Sequence, residues 1–171
     1  MEFTTSEQAK EAIKKWLTEN HHVVNEIDDK NVNFHFEIDY PLGSQKRQRI
    51  IQPKDYPGLI VLLNGVAIAP DHTGKLKDMS EDERDEFYSE IRHDLLFQSN
   101  SYDIHMDEDG IAKQIQFSYE FYFDAPLTKT RLYEGLLVNH RSLLYVVTKF
   151  NDEFGVPSMP AGSKDTTVGT A

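Results

Sequence analysis

The chain has 171 residues, 39% hydrophobic and 27% charged, and no cysteine. That length suffices for one buried core, and the missing cysteine excludes disulfide scaffolds, Fe–S clusters, thiolate zinc sites and cysteine nucleophiles. Its 18 Lys and Arg stand against 29 Asp and Glu, a net charge of −11 that disfavours nucleic acid and anionic membrane surfaces as partners.

The N-terminal stretch Met1 to Glu7 has neither the basic patch nor the apolar run of an export signal, so a cytoplasmic location is expected. Ala9, Ala12, Ile13, Trp16 and Leu17 recur at three- and four-residue spacing, which predicts a helix from Thr5 to Glu19 with Thr5 and Gln8 placed as a capping box. A short strand is expected over His22 to Asp28. After Asp29-Lys30-Asn31, the residues Val32, Phe34, Phe36, Ile38 and Tyr40 alternate with Asn33, His35, Glu37 and Asp39, a period of two that marks a strand with one buried and one wet face. Turns at Pro41 to Ser44 and Pro53 to Gly58 set off two more strands, Arg47 to Gln52 and Leu59 to Leu63, the latter extending toward Ile68.

Pro70 to Asp78 reads as a polar connection. Ser80 and Glu83 then form a capping box ahead of Phe87, Tyr88, Ile91 and Leu95, predicting a helix from Glu81 to about Phe97. Tyr102, Ile104 and Met106 alternate with charged residues up to the turn Glu108-Asp109-Gly110. Beyond it Ile111 to Phe123 alternates again, making a long hairpin. The last helix, Thr128 to Phe154, carries Leu132, Leu136, Leu143, Val147 and Phe150 and stops at Gly155.

The expected fold is α+β and two-layered, an antiparallel sheet with three helices on one face, in the order α-β-β-β-β-α-β-β-α. Residues 1–156 form the domain and 157–171, poor in anything to bury, a flexible tail. This order resembles the type III secretion chaperone-like fold, including its YbjN-like group. The stretches Pro57-Gly58-Leu59-Ile60-Val61 and Asn139-His140-Arg141-Ser142-Leu143-Leu144 also resemble a small family of uncharacterised archaeal proteins. The resemblance implies a cytosolic dimer that binds other protein chains.

No motif points to catalysis or to a cofactor. The seven histidines lack the spacing of a helical zinc site, the glycines are too scattered for a phosphate loop, and Asp107 to Gly110 fits a hairpin turn better than a calcium loop. His35 beside Glu37 and His105 beside Asp103 lie on wet strand faces, which makes a small hydrolase or metal-dependent enzyme the alternative reading. His140 falls on the apolar stripe of the last helix and is expected in the core, satisfied by a hydrogen bond. The acidic run Asp78 to Asp94 reads as a solvated helix face. The most informative segment is Leu59, Ile60, Val61, Leu62 and Leu63, apolar on both faces. One alternate set must therefore add an apolar patch to the open side of the sheet, the expected surface for a protein partner or a second copy of the chain.

Overall fold

The computed structural model describes residues 5–122 and 127–158. The elements run α1 (Ser6–Glu19), β1 (Asn25–Glu26), β2 (Val32–Asp39), β3 (Arg47–Pro53), β4 (Leu59–Ala67), α2 (Pro70–Asp78), α3 (Glu81–Leu95), β5 (Ser101–Met106), β6 (Ala112–Tyr122) and α4 (Lys129–Phe154). The strands make one six-stranded antiparallel sheet in the order β1-β2-β3-β4-β6-β5. The α+β class stands, with one correction: the described helices number four, because Pro70–Asp78 is a helix rather than a connection. Pro70 sits in the first turn, where its missing N–H costs nothing, and His72 and Leu76, four residues apart, are the only side chains it buries. The first strand is also shorter than expected. β1 is only Asn25 and Glu26, opposite Glu37 and Phe36, with the Ile27 N–H adding a bond to the His35 carbonyl at 2.8 Å, because His22 still belongs to the end of α1, its N–H donating to the Leu17 carbonyl at 3.0 Å. Phe123 and tail residues 159–171 lie outside the described residues.

The chain divides into two compact units. The first comprises residues up to Asn64 together with Ser118–His140, and the second comprises Gly65–Phe117 and the residues from Arg141 on. In the first, α1 turns Ala9, Ile13 and Leu17 inward, its N-terminus capped by the Thr5 hydroxyl accepting from the Gln8 N–H. These meet Phe34, Phe36 and Ile38 of β2, Ile50 of β3, Ile60 and Leu62 of β4, and Leu132 and Leu136 of α4 in one hydrophobic cluster. The β2–β3–β4 register puts Phe36 beside Ile50 and Ile50 beside Leu62, so the inward residues form continuous rows across the strands. Gly135 lets α4 approach this sheet closely: a Cβ there would stand 2.7 Å from Leu62 and 2.9 Å from Phe121 and Tyr119. Two side-chain amides complete the seam, Gln48 Nε2 donating to the Leu136 carbonyl at 2.8 Å and Asn139 Nδ2 to the Leu62 carbonyl at 3.0 Å.

The second unit opens on the expected capping box, with Ser80 and Glu83 bonding reciprocally at the start of α3. Phe87, Tyr88, Ile91 and Leu95 then pack with Leu76 of α2, Ile115 and Phe117 of β6, and Leu143, Val146, Phe150 and Phe154 of α4. The Phe87 and Phe150 rings meet edge to face at 5.1 Å. The expected hairpin turn is present: the Asp107 carboxylate accepts from the Asp109 and Ile111 N–H groups, and Gly110 takes a φ of +71°. α4 ends as the sequence indicates, at Gly155 with a φ of +80°.

Candidate interaction surface

β4 resolves the ambiguity of its own sequence. Its residues alternate strictly between full and partial burial, and Ile60 and Leu62 are sealed in the core with no exposed surface. Of the five residues expected to offer a partner surface, those two are therefore core residues, and Leu59, Val61 and Leu63 are left on the side away from the helices.

Neighbouring strands extend this face in columns. On β3, Arg49 stands beside Leu63 and Ile51 beside Val61. One strand further, Glu37 stands beside Arg49, His35 beside Ile51 and Asp39 beside Arg47. On the other flank the register of β6 against β4 is fixed by the Ile68 N–H donating to the Lys113 carbonyl at 2.9 Å and by the approach of Gly65 to Gln116. Carried along the antiparallel pair, it sets Ser118 beside Leu63, Glu120 beside Val61 and Tyr122 beside Leu59. The open face of the first unit is thus a central aliphatic column, widened by Ile51, with a cationic column on one side and an acidic and aromatic one on the other. Sequence parity alone missed Ile51, Arg49 and Glu120, because strand neighbours are set by register, which no single strand encodes.

The electrostatics of the face are mixed. Arg47 pairs with Glu37 at 3.2 Å. Arg49 has no carboxylate within ion-pair distance among the described residues. Glu120 accepts a hydrogen bond from the Tyr122 hydroxyl at 2.9 Å and meets no cation among them. His35 is buried, and neither ring nitrogen has a hydrogen-bond partner. Burial first, then the nearby Arg49 charge, push its imidazole below the usual histidine range, which keeps it neutral. It borders a shallow cavity of about 540 Å³ under the β1–β2 loop, where Asp28, Asp29, Lys30 and Lys54 also line the wall.

The histidines considered for chemistry do not converge. His105 sits 3.5 Å from Asp103 on its own strand, both largely exposed, and β5 is not a neighbour of β2 in the sheet. Among the described residues no three His, Asp or Glu side chains are placed to hold a metal ion. His140 is buried as expected, but its Nδ1 has no partner. Instead its ring meets Tyr40 edge to face at 5.9 Å, and desolvation followed by the Lys46 charge lowers its pKa. His22 and Tyr133 border the same ring cluster, His22 stacked on Tyr40 at 5.9 Å and bonded through Nδ1 to the Asp39 carbonyl oxygen at 3.0 Å. This cluster escaped the sequence reading because its members come from α1's end, β2 and α4, with no shared period. No helix among the described residues is long and apolar enough to cross a membrane.

A family profile described as "Uncharacterized conserved protein (DUF2299)" matches residues 9–150. The chain belongs to that family. Among solved structures, the DUF2299 chain is similar to an uncharacterized protein from Methanothermobacter thermautotrophicus, at 26% identity and a TM-score of 0.80, over 86% of this chain and 99% of that one. It is also similar to YbjN, a putative transcription regulator from E. coli, at 10% identity and a TM-score of 0.49, over 81% of this chain and 90% of that one. A search of curated proteins found no match. The family and the archaeal structure agree with the resemblance drawn from the two quoted stretches.

Proposed function

We propose that this DUF2299 protein is a non-enzymatic, cytoplasmic protein-binding module of the chaperone-like or regulatory kind, and that its working surface is the open sheet face around Leu59, Val61 and Leu63. The observation that carries the reading is the aliphatic column itself. Helices cover one side of β4, and the other side sets three aliphatic residues and Ile51 in a row between charged columns. Each of these side chains is already partly buried, so covering the row offers a partner a fraction of the roughly 1.5 to 3 kcal/mol that full burial of an exposed aliphatic side chain is worth. The charged flanks supply the polar rim that protein interfaces carry around an apolar centre. Support for a binding rather than a catalytic role comes from His35 and His105, the strand histidines beside carboxylates, which lie on strands that are not neighbours in the sheet.

The native chain has no cysteine, so Val61→Cys introduces a unique thiol on the open face and Leu62→Cys a unique thiol in the core. In undiluted extract of the source cells, the Val61→Cys thiol is expected to react with a maleimide at least about tenfold more slowly than in the same protein purified and diluted. The Leu62→Cys thiol should stay protected in both. Equal Val61→Cys rates in extract and in dilute solution would show a bare face and overturn the reading.

A further inference from the structure

We infer that the chain covering this face is a second copy of the same chain, stacked face to face about a two-fold axis that runs parallel to β4. This rests on the reading of the open face as a binding surface. The argument comes from the charges flanking the aliphatic column. Arg49 on β3 and Glu120 on β6 stand on opposite sides of β4, and neither has an ionic partner within its own chain among the described residues. An unpaired cation and an unpaired anion on either side of an apolar stripe make a surface complementary to itself.

Two symmetric stackings place β4 upon β4. With the axis across the strands, β3 lies on β3 and β6 on β6, so Arg49 can approach only Arg49 and Glu120 only Glu120 of the second copy, and neither charge is neutralised. With the axis along the strands, β3 of each copy lies over β6 of the other, and the Arg49–Glu120 approach occurs twice. The charges select the second arrangement. Arg49 is level with Leu63 and, by the register carried along from Gly65 and Gln116, Glu120 is level with Val61, an offset of about 6.8 Å along the strand that two long side chains span across sheets about 10 Å apart. Four strands with three outward residues each give a patch of roughly 20 by 20 Å, about half the ~800 Å² per partner of a standard stable interface, so the pairing is expected to be weak.

Charge reversal tests it by sedimentation equilibrium at tens of micromolar, with far-ultraviolet circular dichroism confirming that each variant is folded. Wild type is expected to dimerise, Arg49→Glu and Glu120→Arg each to weaken pairing at least about tenfold, and the double variant to return to within about threefold of wild type. A double variant no tighter than the singles would overturn the inference, as would an Arg49→Glu protein that pairs like wild type. A monomeric wild type would also overturn it. In that case, protection of the Val61→Cys thiol in extract would leave the binding surface standing with a different partner, whereas loss of that protection would remove both.

Discussion

His72 and His140 are both buried imidazoles on helices, and their surroundings differ. His72 bonds through Nε2 to the Gly155 carbonyl oxygen at 2.7 Å, while His140 has no partner at Nδ1. The contrast extends to the whole of each unit. In the second, Ser142 donates to Asn100 at 3.0 Å and the Tyr88 hydroxyl accepts from the Ala112 N–H at 2.9 Å. The buried side-chain atoms without partners among the described residues, on His35, Gln48, Gln52, Asn64 and His140, all belong to the first unit. Each such group forgoes about 1 to 3 kcal/mol relative to a satisfied one. The buried polar atoms without a protein partner are thus concentrated in the unit that carries the candidate binding face. That coincidence is what is expected where local rules are relaxed for function.

The largest effects should come from the cores, where the two units are alike. Phe36 and Phe117 are both sealed, one in each cluster. Phe36→Ala and Phe117→Ala are each expected to cost about 3 to 5 kcal/mol in urea denaturation. A wild-type midpoint for either would mean that its strand faces the other way. Backbone approach separates the units again. Gly135→Ala in the first forces a methyl group to within 3 Å of Leu62, Phe121 and Tyr119, an overpacking expected to cost about 1 to 3 kcal/mol. Gly74→Ala in α2 meets nothing within 4 Å and should stabilise by about 0.4 to 1 kcal/mol. Thermal melts that ranked these two the other way would refute the close helix–sheet seam.

Polar deletions probe the contrast directly. Tyr88→Phe strands the Ala112 N–H in the second core and is expected to cost about 1 to 3 kcal/mol. Gln48→Met removes an unpartnered oxygen along with the Leu136 bond, so its loss should stay under about 1.5 kcal/mol. Equal losses would mean that the Gln48 oxygen has a partner in solution, most simply a bound water.

The sequence made the long strands and the two capped helices legible, because Val32 to Tyr40 alternates without interruption and Thr5, Ser80 and Gly155 are explicit start and stop residues. It did not show α2, where only His72 and Leu76 of nine residues turn inward and Gly74 weakens the helical pattern. The candidate face was half legible. The doubly apolar run Leu59 to Leu63 announced it, but parity could not choose the outward set, and Arg49, Ile51 and Glu120 joined it only through register. His140 is buried, as its place on the apolar stripe of α4 indicates, but unpartnered at Nδ1, since a hydrogen bond at its ring depends on partners from other elements that its own helix does not specify.

The smallest predicted effect, at most one proton per imidazole, follows from acid titration. Burial holds the His35 and His140 pKa values below the ordinary 6.5. A group whose folded pKa is depressed binds its proton more readily when unfolded, so its stabilising contribution is complete above about pH 6.5 and declines as pH falls from there toward the folded value. In the second unit the shifted acids are carboxylates. Asp71, held by Ser158, Glu83 by Ser80, Asp94 by Tyr145 and Asp107 by Lys113 all lie below their ordinary 3.8 to 4.5. Their contribution persists until pH drops below that range. Hydrogen exchange between pH 7 and 5 is therefore expected to loosen β2 and β3 while α3 keeps its protection, and His35→Gln should flatten the pH response of β2. Loss of α3 protection first, or an unchanged slope in His35→Gln, would show that the imidazoles of the first unit are not the acid-labile groups.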